Sequence, residues 1–168
     1  ACTFLDRDDL VSEEPALGPM AACAVRTNDW ATYADPKAYV MGLMTHLREQ
    51  GVAFQDCNVG TLDGDTVTGT DGRRYPFEHL VIAAGAWSHR LTEQLGDWCP
   101  LETERGYNTT IPSPGISLNR MLTFAEDHFV ATPMSMGLRI GGAVEFAGLK
   151  TPPNLSLIHI SEPTRPTP

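Results

Sequence analysis

The sequence predicts an α/β fold that continues into antiparallel β structure. Three observations carry this prediction: an apolar stripe of helical period in residues 35–50, an unbroken apolar run at residues 80–84, and apolar side chains at alternate positions after Cys99. A period of three to four residues is typical of one face of a helix, and a period of two is typical of one face of a strand. We therefore expect a part with helices and parallel strands, followed by a strand-rich part.

Length, composition and charge exclude several classes of function. The chain has 168 residues, of which 42% are hydrophobic and 20% charged, and these proportions are typical of a globular protein. Its net charge of −9 disfavours nucleic acids and anionic membrane surfaces as partners, because both require clustered positive charge. No apolar run reaches the length of a transmembrane helix, so no transmembrane segment is predicted.

The cysteines and histidines predict neither a disulfide scaffold nor a metal site. Cys2, Cys23, Cys57 and Cys99 are widely separated and form no C-x-x-C pair. The five histidines do not show the spacing of metal ligands, and Ser88 lies outside a G-x-S-x-G motif, so no catalytic triad is predicted. Free thiols suit a reducing compartment, and we expect a cytoplasmic protein.

Residues 1–34 carry few signals of regular structure. A short helix is predicted near residues 8–14, and Pro15 and Gly18 interrupt any longer element.

A longer helix is predicted at residues 35–50. The Asp35 side chain can accept a backbone N–H as an N-cap, and Pro36 suits the first helical position, where no N–H is needed. Gly51 follows as a C-cap. The apolar stripe of this helix consists of Tyr39, Val40, Leu43, Met44 and Leu47.

Short strands are predicted after this helix, at residues 52–55, 66–70 and 73–75, with Asp71-Gly72 as a tight turn between the last two. After Cys99, the alternating pattern predicts antiparallel strands at residues 105–111, 121–125, 129–132 and 138–146.

Residues 80–84, Leu-Val-Ile-Ala-Ala, predict a strand that is buried on both faces, as in a parallel sheet. The small residues Gly85 and Ala86 follow, and a helix is predicted from Trp87 to Leu95. Ligands of open α/β sheets bind beyond the carboxyl ends of the strands, and a corner without bulky side chains lets the backbone approach a ligand. A simple tight turn is the alternative interpretation.

The order of these motifs resembles the FAD-dependent amino-acid oxidoreductases of the D-amino-acid oxidase superfamily, most closely the bacterial D-amino-acid dehydrogenase branch. The matching features are a helix that begins with D-P, a G-V pair, a D-G hairpin and the segment V-I-A-A-G-A-W-S. Further similarity lies in E-P-A-L at residues 14–17, E-R-G-Y at residues 104–107 and the segment at residues 138–149. The resemblance covers nearly all of residues 10–154.

The resemblance implies a partial FAD-binding lobe of the glutathione-reductase-like type at residues 35–98. It implies parts of a mainly antiparallel substrate-binding lobe at residues 1–34 and 99–154. The family's G-x-G-x-x-G motif, which holds the FAD pyrophosphate, does not occur in this sequence. We therefore expect a central fragment that is inactive alone. Residues 155–168 resemble a translated sequencing adapter and are expected to be a non-native tail.

Four residues are candidates for FAD binding because they match positions of the family. Val59 corresponds to the backbone contact with the adenine, and Ala84, Gly85 and Trp87 correspond to the turn against the cofactor. The alternatives are an ordinary strand valine for Val59 and core packing for Trp87.

Two residues are candidates for substrate binding. Tyr107 is expected to face the flavin ring with its hydroxyl available to a carboxylate, and Arg139 is expected to pair with an acidic group of the substrate. An interface tyrosine and an exposed strand arginine are the alternatives. No catalytic side chain is assigned, because in this family the flavin carries the chemistry.

The implied activity is dehydrogenation of D-amino acids to 2-oxo acids and ammonia, with hydride transfer to FAD. The implied partners are a small amino-acid substrate and an electron acceptor such as a quinone. Peripheral docking on the inner membrane is an alternative to a purely cytoplasmic location. Two alternatives remain: another amine-oxidising member of the superfamily, of the glycine or sarcosine oxidase or hydroxyproline dehydrogenase type, and a binding module without catalysis.

Overall fold

A computed structural model of the protein describes residues 1–161. Cα packing divides the chain into two units. Of the described residues, the first unit contains Ala1–Met44, Gly106–Val144 and residues 153–161, and the second contains Thr45–Arg105 and Glu145–Pro152. Of the expected non-native tail, Leu155–Ser161 forms a 3-10 helix, and residues 162–168 lie outside the described residues.

Mixed α/β structure with antiparallel sheets is present, as predicted. The α-helices are α1 (Arg7–Glu13), α2 (Pro36–Glu49) and α3 (Ser88–Thr92). The strands are β1 (Cys2–Leu5), β2 (Ala24–Thr27), β3 (Val59–Asp63), β4 (Thr66–Gly69), β5 (Arg74–Pro76), β6 (Glu104–Ile111), β7 (Leu122–Phe124), β8 (Phe129–Met134) and β9 (Gly137–Phe146). Further 3-10 turns lie at Pro15–Met20, Gly85–Trp87 and Glu93–Leu95.

In the first unit, β1 and β2 form an antiparallel pair that is connected through α1. The helix begins after Asp6, whose carboxylate accepts the Asp9 N–H at 3.0 Å, and it buries Leu10. The predicted short helix is confirmed.

Helix α2 has the capping residues that the sequence predicts. The Asp35 carboxylate accepts the Ala38 N–H at 2.8 Å, and this hydrogen bond lowers the pKa of Asp35. Gly51 takes a positive φ of 88° at the other end. No residue of α2 is fully buried, and of its apolar stripe only Met44 and Leu47 are partly buried.

Strands β6 to β9 form a sheet in the order β6–β9–β8–β7, in which β7–β8 and β8–β9 are antiparallel. Ala131 of β8 and Leu138 of β9 form a buried cluster with Leu118. The rings of Phe124 and Phe129 stack beside the cluster, with their centroids 4.4 Å apart. The four strands predicted after Cys99 are confirmed.

In the second unit, β3, β4 and β5 form an antiparallel meander. The predicted Asp71-Gly72 turn joins β4 to β5: Gly72 has a φ of 80°, and the Asp71 carboxylate accepts the Arg73 N–H at 3.0 Å. The hairpin prediction is therefore confirmed.

Two predicted strands are wrong. Residues 52–55 and residues 80–84 belong to no sheet in the described part of the chain. A strand requires a neighbouring strand for its backbone hydrogen bonds, and no strand within residues 1–161 pairs with residues 80–84. The expected parallel sheet is therefore not formed by this run. The helical structure after it is present as Gly85–Trp87, α3 and Glu93–Leu95, and Gly96 ends it with a φ of 83°.

Among the helices that the structure describes, none has the length and apolar character needed to cross a lipid bilayer. Within the same residues, no group of three or more histidines, cysteines, aspartates or glutamates is placed to hold a metal ion.

Candidate functional site

An apolar groove of about 310 Å³ lies in the second unit. We call it the apolar groove and define it by its lining residues: Val59, Leu62, Val67, Leu80, Val81, Ile82, Ala83, Ala84 and Leu91. Its volume is at the lower end of the range for small-molecule sites, which begins at about 300 Å³.

The groove has two walls. Strands β3 and β4 supply Val59, Leu62 and Val67, and the opposite wall consists of residues 80–84 together with Leu91 of α3. The register of the meander pairs Leu62 with Val67, so these two side chains stand beside each other on one face of the sheet.

A tight turn shapes the second wall where it meets α3. The Ala84 N–H donates to Ser88 Oγ at 3.1 Å, and the Trp87 N–H donates to the Ala84 carbonyl at 3.1 Å. Gly85 has a φ of 54°, in the left-handed region that favours glycine. A Cβ at Gly85 would meet no atom within 4 Å, so the backbone is open to a ligand at this corner.

The backbone of the second wall is unpaired. Among the described residues, no hydrogen bond involves the N–H or C=O groups of Val81, Ile82 or Ala83. The side chains alternate in exposure, and Val81 is 85% exposed whereas Leu80 and Ile82 are partly buried. The wall therefore combines an apolar surface with backbone donors and acceptors that a ligand can satisfy.

The structure brings Val59 and Ala84, two of the residues predicted to bind FAD, to the same groove. Gly85 and Trp87 follow Ala84 in the adjoining turn. Trp87 is 56% exposed, which argues against its alternative role in core packing. Contact of these four residues with FAD stays a prediction.

The groove fits one end of FAD and not the whole molecule. Apolar walls beside unpaired backbone groups suit an adenine ring, which has apolar faces and a polar edge. The lining includes no charged side chain, so it offers no partner for a pyrophosphate. The residues present therefore fit the adenine portion alone.

Tyr107 lies in the first unit and is buried on β6. Its hydroxyl oxygen accepts the Asn154 N–H at 2.8 Å, so it attaches the segment around Asn154 to the sheet. This contact gives Tyr107 a structural role in addition to the predicted contact with substrate.

Arg139 lies on β9 in the first unit and is half-buried. Its Nε donates to Thr110 Oγ1 at 3.3 Å, and no carboxylate of the described residues pairs with it. Thr110 lies three positions from Tyr107 on β6, and side chains alternate between the faces of a strand. Arg139 therefore lies on the opposite face of the sheet from Tyr107.

Gln94, which the sequence analysis did not identify, lies beside the groove without lining it. Its side chain hydrogen-bonds to the backbone of β3, and this contact joins the two walls. The only signal in the sequence is an amide side chain near the end of the predicted helix, which by itself does not indicate a contact with a distant strand.

Comparisons with known proteins agree with the resemblance found in the sequence. The family model described as FAD dependent oxidoreductase, DAO, matches residues 1–164. A D-amino-acid oxidase of Bradyrhizobium diazoefficiens is 32% identical over 154 residues, which cover 89% of this chain and 37% of the relative. The chain thus spans 37% of the length of this curated relative. No solved structure matches the chain.

Proposed function

The chain belongs to the DAO family of FAD-dependent oxidoreductases, and we propose that it is part of an enzyme that dehydrogenates D-amino acids to imines, which water then hydrolyses to 2-oxo acids and ammonia. In this proposal, the second unit contributes to an FAD-binding lobe of the glutathione-reductase-like type. The first unit contributes to a mainly antiparallel substrate-binding lobe.

The main structural support for the proposal is the apolar groove. Val59 and Ala84, which are far apart in the sequence and are both predicted to contact the cofactor, line one groove. A Cβ at Gly85 would meet no atom within 4 Å, and this space also favours close approach of a ligand.

FAD, when bound, supplies the acceptor for a hydride from the α-carbon of the amino acid. The residues of this chain would hold and orient the reactants. The walls of the groove would enclose the adenine, and the backbone groups of Val81–Ala83 would pair with its polar edge. Trp87 is exposed beside this wall and would cover the neighbouring part of the cofactor.

Arg139 is the proposed partner of the substrate carboxylate. A guanidinium binds a carboxylate through two parallel N–H···O bonds, and Arg139 has no carboxylate partner among the described residues. Tyr107 lies on the other face of the sheet, so it would stabilise the substrate lobe through Asn154 and would not share the carboxylate that Arg139 binds. A quinone or a similar acceptor, and not oxygen, would reoxidise the flavin.

A chimaera with the Bradyrhizobium relative tests the proposal. The 154 matching residues of that D-amino-acid oxidase are replaced with those of this chain. The purified chimaera is then assayed with D-alanine, sarcosine and hydroxyproline, with either an artificial quinone-like dye or oxygen as the acceptor. Flavin absorbance of the purified chimaera measures cofactor binding independently of activity.

We expect a yellow protein that reduces the dye with D-alanine. Arg139→Gln should raise KM for D-alanine by at least about tenfold, which corresponds to loss of a charge-assisted hydrogen bond. Arg74→Gln is the matched control, since Arg74 is an exposed strand arginine of β5. A flavin-loaded chimaera that is active with sarcosine or hydroxyproline alone would contradict the proposed substrate class.

A further inference from the structure

The end of the helical segment after residues 80–84 is attached to the free edge of the β3–β4–β5 sheet by one side chain. Gln94 Oε1 accepts the Leu62 N–H at 2.9 Å, and Gln94 Nε2 donates to the Gly60 carbonyl at 3.4 Å and to the Arg90 carbonyl at 3.2 Å. Strand β3 is the edge strand of its sheet, and the Leu62 N–H and the Gly60 carbonyl bond to Gln94 on the side away from β4.

The bonding pattern is that of one residue in a parallel strand. In a parallel ladder, one residue accepts the N–H of residue i+1 on its neighbour and donates to the carbonyl of residue i−1. The Gln94 amide makes both of these bonds to the residues that flank Thr61. Gln94 thereby satisfies part of an edge that would otherwise be open.

Both ends of this contact belong to the walls of the apolar groove. Leu62 lines the first wall, and Leu91, one helical turn before Gln94, lines the second. The third hydrogen bond, to the Arg90 carbonyl, restrains the Gln94 side chain relative to its own helix. The separation of the walls therefore depends on the Gln94 amide.

We infer that Gln94 is a positioning residue for the adenine portion of FAD: its amide sets the width of the apolar groove. This inference rests on the proposed function, in which the groove receives the adenine. Gln94 does not line the groove itself, so its effect on a ligand passes through Leu62 and Leu91.

The experiment compares variants of the complete 168-residue chain. Gln94→Met keeps the size and helix propensity of the side chain and removes all three hydrogen bonds. Gln94→Glu keeps an acceptor for the Leu62 N–H and removes the donor to Gly60 and Arg90. Glu93→Gln is the matched control on the same turn, where the side chain is exposed.

Adenosine monophosphate is the probe, and its dissociation constant is measured by NMR titration of the Val59 and Ala84 amides. Far-UV circular dichroism at the same temperature verifies that each variant is folded. Hydrogen exchange of the Leu62 amide reports the Gln94 contact directly, without any ligand.

We expect Gln94→Met to accelerate exchange at Leu62 and to weaken nucleotide binding about fivefold, the change expected for one hydrogen bond of average net strength. Gln94→Glu should preserve most of the protection at Leu62 and still weaken binding, because the donor to Gly60 is lost. Glu93→Gln should match the parent chain in both measurements.

The outcomes separate the inference from the proposed function. A parent chain that binds the nucleotide, with equal affinity in folded Gln94→Met, would overturn the role of Gln94 and leave the proposed function standing. Unchanged exchange at Leu62 in Gln94→Met would also overturn it. A folded parent chain that binds no nucleotide would refute the groove as an adenine site and the role of Gln94 together.

Discussion

Glu14 provides the sharpest test of how the first unit is held together. Its side chain is only 1% exposed, and Oε2 accepts the Asn119 N–H at 2.9 Å. Oε1 has no hydrogen-bond donor and lies 3.6 Å from Nε of Arg120. The carboxylate therefore joins the end of α1 to the segment at Asn119, and one of its oxygens depends on an ion-pair contact alone.

The cost of removing this side chain can be estimated from its contacts. Glu14→Ala leaves the Asn119 N–H without its acceptor, which costs about 1–3 kcal/mol, and it removes one buried methylene, worth about 0.8 kcal/mol. Arg120 keeps Glu13 as a partner, so it adds little to the loss. The total is a decrease of about 2–4 kcal/mol in the free energy of unfolding of the first unit.

Glu14→Gln separates hydrogen bonding from charge. The amide oxygen still accepts the Asn119 N–H, and the ion pair that it loses involves an arginine side chain that is 43% exposed. We expect a change within about 1 kcal/mol. Urea unfolding followed by circular dichroism, with hydrogen exchange at Asn119 as a local probe, measures both variants. Glu126→Ala, in an exposed turn, is the control. Equal destabilisation by Glu14→Ala and Glu14→Gln would refute the reasoning, because charge would then dominate.

Three further predictions concern caps, close contacts and acid stability. Asp35→Ala should lower the free energy of unfolding by about 1 kcal/mol, whereas Asp35→Asn should retain the cap, and urea titration checks both. Gly142→Ala should lower the free energy of unfolding by more than about 3 kcal/mol, because the new Cβ would lie 2.3 Å from a carbonyl oxygen. A Cβ at Gly106 would meet no atom within 4 Å, so the Gly106→Ala control should have the melting temperature of the parent chain. Burial raises the pKa of Glu13, but hydrogen bonds and charges from Arg26 and Arg120 outweigh this and lower it. Its contribution to stability is therefore complete above the ordinary carboxyl pKa of about 4.3 and is lost as pH falls through the lowered value. Arg120→Gln should make melting temperature less sensitive to acid, and an unchanged pH profile would contradict this assignment.

Local signals predicted much of the fold. The Asp35 cap begins α2 and Gly51 ends it, and each acts on residues only a few positions away in the chain. The Asp71-Gly72 turn forms the β4–β5 hairpin in the same local way. The alternating pattern after Cys99 also predicts four strands that are present. In each case the residues that fix the conformation are neighbours in the chain, so a single sequence contains the information.

Long-range contacts were not accessible from the sequence. Glu14 is an ordinary exposed residue type by composition, and its burial depends on Asn119 and Arg120 far along the chain. Gln94 likewise acquires its role only when the 3-10 turn at Glu93–Leu95 lies beside β3. The pattern of side chains around Glu14 and Gln94 gives no indication of either partner, because neither contact follows a helical or a strand period.

Residues 80–84 show how an apolar run can line a groove without forming the strand that its sequence predicts. The run contains only apolar side chains, and an unbroken apolar run of this length favours a buried strand. Its side chains have no donors or acceptors that could pair with its backbone. Exposed and partly buried side chains do alternate along the run, with Val81 outward. The hydrogen bonds of a strand, however, depend on a neighbour that residues 1–161 do not supply. The run instead forms an apolar wall with an unpaired backbone, and this wall ends at the open corner of Gly85. The apolar surface and the unpaired backbone groups together make the groove suitable for an adenine ring, although no strand is formed.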